Sequence, residues 1–177
     1  FLSKYAIFSQ VSQALWNEKL NLSFGLRMDG SNYSSSLANP LEQLSPSLSV
    51  NYRITESFAL NANVARYHQL PAYTILGYRN NAGNLVNKEN NIKYIRADHF
   101  VIGTEFRTKQ SSRFTLEGFY KNYSRYPFSI KDSICLANQG SDFGVVGNEE
   151  VKSISKGRTY GGEFLFQQKL YKGFYAV

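Results

Sequence analysis

The sequence is short of most devices that mark a function. A single cysteine, Cys135, has no internal disulfide partner and no second thiol for a metal motif, so it reads as a passive loop residue. Only 4 prolines and no strict glycine repeat occur in 177 residues, which excludes collagen-like and disordered chains. No run of 18 apolar residues exists, so no transmembrane helix is expected. The 20 Lys and Arg against 13 Asp and Glu give a net charge of +7, yet the basic residues are scattered, with no run of four. A phosphate-tracking face needs clustered charge, so nucleic acid is not an expected partner. His68 and the Asp98, His99 pair have no third ligand at useful spacing, and neither a metal nor a cofactor is expected. Phe1 already begins in strand-like sequence, so the start is not read as a signal peptide.

What is present is aromatic and periodic. The chain holds 13 Tyr and 13 Phe, and its clearest stretch, Ala97 to Pro127, reads as two long strands joined by a polar turn at Thr108 to Ser112, centred on Gln110. Phe100, Ile102, Thr104 and Phe106 share one face, and His99, Val101, Gly103, Glu105 and Arg107 share the other. After the turn, Phe114, Leu116, Gly118 and Tyr120 continue the apolar row, while Arg113, Thr115, Glu117, Phe119 and Lys121 continue the polar one. This register sets Gly103 opposite Glu117 and Glu105 diagonal to Arg113. Leu20 to Asp29, Ser47 to Thr55, Phe58 to Val64 and Arg158 to Leu170 repeat the alternation. Lys4 to Leu15 alternates weakly, and Trp16 sits where an interfacial anchor would.

Alternation alone does not say which face meets water; length and loops do. Strands of about 11 residues at roughly 3.3 Å each, tilted near 40°, span roughly 28 Å, which suits an outer-membrane apolar band. Connections alternate short (near residues 17, 56, 110 and 172) and long (Gly30 to Ser45, Tyr67 to Ile95, and Tyr123 through Gly157). That asymmetry marks short inner turns and long outer loops. The expected fold is therefore all-β, a partial antiparallel transmembrane β-barrel of seven full strands and the start of an eighth. Residues 1–177 form part of one barrel domain in the bacterial outer membrane, with membrane lipid against the apolar face. Other classes fit less of the pattern: a passive porin or adhesin barrel, and a soluble β-sandwich binding module.

The segments LNLSFGLRMDG, NPLEQLSPSLSVNYRIT, ARYHQLPAY, ADHFVIGTEFR, FTLEGFYKNYSRYPFSI, LANQGSDFGVVGNEEV and SKGRTYGGEFLFQQKLYKGFYAV follow in an order and spacing that covers nearly the whole chain. In these it resembles the TonB-dependent outer-membrane receptors, in particular the Bacteroidetes type with an amino-terminal carboxypeptidase-regulatory-like domain. The resemblance implies a 22-stranded barrel filled by a plug domain that this chain does not contain. It also implies import of a large scarce solute such as a siderophore, cobalamin, glycan or peptide. The implied partners are that solute, TonB acting through the absent plug, and a surface lipoprotein.

In such a receptor the long loops and upper lumen take the ligand. The candidate contacts are Tyr67, His68, Gln69, Tyr73, Tyr78 and Arg79 in the second long connection, and Tyr126, Phe128 and Phe143 in the third, because aromatic and amide groups grip sugars and flat chelates by stacking and directed hydrogen bonds. The competing expectation is that these aromatics pack the loops together. Glu105, Glu117 and Glu163 have the composition of an acid–base set, but a hydrated ion-pair ladder along a wet lumen explains them better, and no catalytic residue or enzyme activity is expected. Gly140, Gly144 and Gly147 suggest a compact folded loop, since no lysine follows them as a phosphate loop requires.

Overall fold

The computed structural model describes residues 1–109, 112–140, 145–171 and 173–176. The expected turn centre Gln110, and Gly144, Lys172 and Val177, lie outside the described residues. Eight antiparallel strands follow one another in a single meander: β1 Lys4–Leu15, β2 Leu20–Ser31, β3 Ser45–Arg53, β4 Phe58–Gln69, β5 Ile95–Arg107, β6 Ser112–Ser129, β7 Val151–Tyr171 and β8 Phe174–Ala176. Each strand bonds only its sequence neighbours, and β1 and β8 are the sheet's edges. The sheet is a partial barrel wall.

Register follows the apolar pattern. Phe58, Phe106, Phe114 and Phe166 form one row across four strands at the short-turn end, with Phe114 ring centroids 6.4 Å from Phe106 and 4.9 Å from Phe166. Trp16, in the β1–β2 turn, meets Tyr52 edge-on at 6.2 Å. Val64, Phe100, Tyr120 and Tyr160 form a second apolar row higher up. Between the rows the same face presents Ile102, 69% exposed, and Phe164, 67% exposed. The row above changes character to Arg66, Asp98, Asn122 and Arg158, about 26 Å along β4 from Phe58. An uncovered apolar band of that height, bounded by aromatic rows, meets the dimensions of a bilayer-facing surface.

The polar face is concave, because residues of β1, β2, β3, β4, β5 and β6 converge on one hollow. Crowding on that side half-buries side chains of β2 to β6, while apolar neighbours on the other face such as Val64, Phe100 and Ile102 stand exposed. Gly103 is needed there: a Cβ on it would lie 2.7 Å from Cγ of Glu117, the residue opposite it in register.

Two strand ends differ from the sequence reading. β4 runs on to Gln69, and the β6–β7 hairpin stays paired through Ser129 and Val151 instead of opening at Tyr123 and Gly157. A register shift between Tyr123 and Tyr126, with Arg125 at φ +59°, breaks the period-two pattern there, so alternation alone loses the strand. Tyr67, His68, Gln69, Tyr126 and Phe128 are therefore strand residues, not loop residues.

The long connections fold into a cap at the same end. Short helices α1 (Ser35–Ala38), α2 (Tyr73–Gly77) and α3 (Val86–Glu89) bring Ile75, Leu76 and Ile92 against Leu136 and Val151, with Tyr33, Leu70, Tyr126 and Val146 packed around them. Gly147, at φ +86°, lies against Ile75 where a Cβ would come within 2.5 Å of its Cγ1.

Candidate functional site

The concave wall offers two zones. The lower is a hollow of about 640 Å³ in which Ser and Asn side chains alternate with Leu22, Val50 and Val101, and which Glu117 also lines. Ser12, Ser23, Ser49 and Asn63 fall in one register row, and Asn21, Asn51 and Asn61 in the next. Their groups bond along the rows, Asn51 Nδ2 donating to Asn61 Oδ1 at 2.5 Å and Asn63 Nδ2 to Ser49 Oγ at 2.6 Å, and Gln10 Nε2 donates diagonally to Ser23 Oγ at 2.8 Å. Alternation makes this surface, since the residue between each pair of apolar positions is small and neutral. Amide and hydroxyl groups beside the one carboxylate of Glu117 can hold hydrated polar partners.

The upper zone is aromatic. Tyr67, at the end of β4, lies with its ring centroid 4.8 Å from His99 of β5, and His99 lies 6.3 Å from Tyr123 of β6. Lys121 Nζ sits 4.8 Å above the Phe119 ring nearby. Three adjacent strands thus set three rings side by side on the concave face, directly below the cap. Rings with a flanking ammonium suit a flat, sugar-bearing or anionic solute.

The predicted contacts divide accordingly. Tyr67, 48% exposed, is the member placed in the lumen cluster, and Gln69 shares its face by alternation. His68 points the other way along β4; it is opposite Arg96, and its Nδ1 is 2.9 Å from Ser45 Oγ. Tyr73 is exposed on α2 with Lys4 Nζ 5.2 Å over its ring. Tyr78 follows α2, and Arg79 turns back to donate to Gly83 O at 2.6 Å. Tyr126 packs against the cap core, and Phe128 pairs with Lys152. Phe143 lies outside the described residues. The sequence reading treated His99 as a wall residue and passed over Tyr123, because the cluster arises from cross-strand neighbours that linear spacing does not show. The signal that would find it is the register itself: Tyr67, Ala97 and Tyr123 form one row, and His99 stands in the next row on the same face, beside Ala65 and Lys121.

The carboxylates separate too. Glu105, nearly buried, is held by Arg107 Nε at 2.5 Å and Arg113 Nη2 at 2.6 Å, as an ion-pair ladder requires. Glu117 departs from that expectation: its register partners are Gly103 and Glu163, and no ion pair to either glutamate occurs among the described residues. The ladder does not extend to this row, where β7 sets a second acid, Glu163, beside Glu117. Among the described residues no group of three or more His, Cys, Asp or Glu is placed to hold a metal ion.

The cap fixes the ceiling of this wall. Asn87, fully buried, donates to Ile75 O at 2.8 Å and Glu149 O at 2.9 Å and accepts from Val151 N at 2.8 Å, so one side chain ties the second and third connections and β7 together. Tyr33 donates to Leu76 O at 2.7 Å and Ser36 to Ile92 O at 2.9 Å, tying in the first connection. Tyr5 donates to Ala38 O, and Ser129 to the Glu149 carboxylate. Burial raises the Tyr33 phenol, and burial, aided by the negative charge of Asp29, pushes Tyr94 up to about 12.

With this geometry in hand, comparison with known proteins is decisive for the family. The barrel family described as TonB dependent receptor-like, beta-barrel, matches residues 2–176. The chain belongs to that family. Among solved structures, the siderophore receptor PirA from Pseudomonas aeruginosa superposes with a TM-score of 0.67 at 19% identity, covering 97% of this chain and 29% of that one. The ferric enterobactin receptor PfeA gives 0.69 at 19% identity, covering 97% and 25%. The copper transporter OprC gives 0.64 at 17% identity, covering 97% and 27%. At these identities the likeness is one of fold. The chain spans between a quarter and a third of the length of these solved chains. No curated protein sequence matches it.

Proposed function

We propose that this chain is one wall of a 22-stranded, plugged importer in the bacterial outer membrane. It takes up a large scarce solute, of the siderophore, cobalamin, glycan or peptide class, without a catalytic step. The observation that carries the reading is the concave wall: an amide and hydroxyl surface below the aromatic group Tyr67, His99 and Tyr123, roofed by a cap with its own buried core. Solute first meets the cap and the ring cluster. The lower wall, with the glutamates Glu117 and Glu163, faces the plug supplied elsewhere in the receptor, and basic plug groups answer those carboxylates. TonB acts through that plug. The sequence resemblance supports the Bacteroidetes type, with its carboxypeptidase-regulatory-like domain and a surface lipoprotein partner, as the finer placement.

The test is uptake by cells expressing the full receptor, with and without TonB, of labelled ferric catecholate, ferric hydroxamate, cobalamin, oligosaccharide and peptide. Saturable uptake of one class, lost without TonB and weakened about tenfold by Tyr67→Ala with Tyr123→Ala, supports the importer. Non-saturable flux that persists without TonB makes the wall part of a passive pore.

A further inference from the structure

The three long connections are joined far more closely than separate surface loops need to be. Ile75, Leu76 and Ile92 of the second share a buried core with Leu136 of the third and Val151 of β7, and Tyr33 of the first packs against it. The second connection is bonded to both others. On one side it accepts from Tyr33 and Ser36; on the other, Thr74 Oγ1 donates to Val146 O at 2.9 Å and Asn90 Nδ2 to Glu150 Oε1 at 3.1 Å. The core is also fixed to the wall, because Tyr126 of β6 and Val151 of β7 belong both to it and to the hairpin, which stays paired up to that level.

A lid that closes on its cargo needs an open state of low cost, and such elements come from the least stable parts of a fold. Here no ion pair crosses between connections among the described residues. Parting them would instead put an apolar core into water and strip the fully buried Asn87 of partners in two places at once. Gly147 meets Ile75 at a distance that leaves no room for a Cβ, so the second and third connections are already in close contact.

We propose that the cap is assembled before solute arrives and stays attached to the β6–β7 hairpin as one body, so that solute reaches Tyr67, His99 and Tyr123 past its rim and not by a parting of the connections. Assembly of the cap is argued from its own contacts. Passage past the rim rests on the importer reading.

Hydrogen exchange of the full receptor in lipid nanodiscs, without solute, tests the single body at the Leu37, Ile75 and Val151 amides, each hydrogen-bonded and buried. Tyr33→Phe keeps the ring of the first connection and removes its bond to Leu76 O. Exchange at all three amides is expected to rise together, roughly two- to tenfold, with β2 and β5 unchanged. Gly147→Ala, in the third connection, is expected to speed Leu37 in the first. No effect of Tyr33→Phe at Val151, or of Gly147→Ala at Leu37, overturns the single body, and heat-modifiable gel mobility reports an intact barrel in each variant. For passage, Thr74→Cys and Val145→Cys in a Cys135→Ser background are bridged in cells by a short bis-maleimide, and uptake of the five labelled solutes is followed. Unchanged uptake is expected, and uptake lost on bridging overturns passage past the rim. Should none of the five enter, the importer reading falls, and the exchange measurement decides the cap by itself.

Discussion

Asn87 shows how much one side chain controls in this fold. It makes three hydrogen bonds to backbone groups that come from α2, the third connection and β7, all in a site without water access. Asn87→Leu removes the partner of each and leaves buried polar groups unmet, at a cost of about 2–3 kcal/mol to cap closure. Hydrogen exchange at the Val151 and Ile75 amides is expected to speed by roughly a hundredfold while exchange in β2 and β5 is unchanged. Sequence reading had no access to this residue: an asparagine in NAGNLVNKENN reads as an ordinary exposed loop amide. Its role depends on what lies across space from it. The same holds for Tyr126, singled out as a ligand contact, whose ring the cap core takes up. By contrast, the diagonal of Glu105 and Arg113 was legible, because a hairpin register predicts it from two apolar rows; Arg113 Nε donates to Glu105 at 2.7 Å.

At the scale of elements, the Phe58, Phe106, Phe114, Phe166 row closes the apolar band at the short-turn end. Phe114 has a ring neighbour on each side, so Phe114→Ala forfeits two aromatic contacts, about 1–3 kcal/mol of folding free energy in bilayers. Equilibrium refolding of the full receptor into lipid vesicles measures it, and Phe119→Ala on the concave face is expected to cost less. The Glu105 clamp predicts a second effect. Both arginine partners are largely exposed, so Glu105→Gln costs only about 1–2 kcal/mol, read in the same refolding assay and reduced by added salt. Glu117→Gln removes one of two facing acids and is expected to leave stability unchanged or slightly raised.

The cap is the third element, and its phenols give it a pH dependence. Free phenols ionise near 10. Burial holds Tyr33 above that value and Tyr94 near 12, so between pH 10 and 12 the closed cap binds more protons than the opened connections. Stability contributed by the neutral phenols is present below pH 10 and falls as pH rises. Tyrosinate absorbance is expected to show two late-titrating phenols in wild type that join the main transition in Asn87→Leu.

For the whole molecule, the consequence is an open wall. β1 and β8 are edges, and the convex face leaves Ile7, Val11, Phe24, Phe100, Ile102 and Phe164 exposed among the described residues. Residues 1–177 expressed alone are expected to elute in the void volume of a sizing column without detergent and to shift to a smaller species in detergent, since unpaired edges and a broad apolar surface both drive association. A monodisperse monomer in plain buffer would contradict the membrane-facing assignment of the convex face.

The sequence by itself determined the strands that cross the apolar band, their faces, their order and the alternation of short and long connections. Period-two patterning is a local property, and a one-residue slip would turn every apolar side chain inward. Tertiary structure decided what sits beyond the band. There the β6 bulge breaks the period, loops trade sequence pattern for a shared core around Ile75 and Val151, and His99 joins Tyr67 and Tyr123 only because their strands are adjacent. Arg66 and Arg96 lie thirty residues apart and meet on Asp98 for the same reason, through antiparallel register.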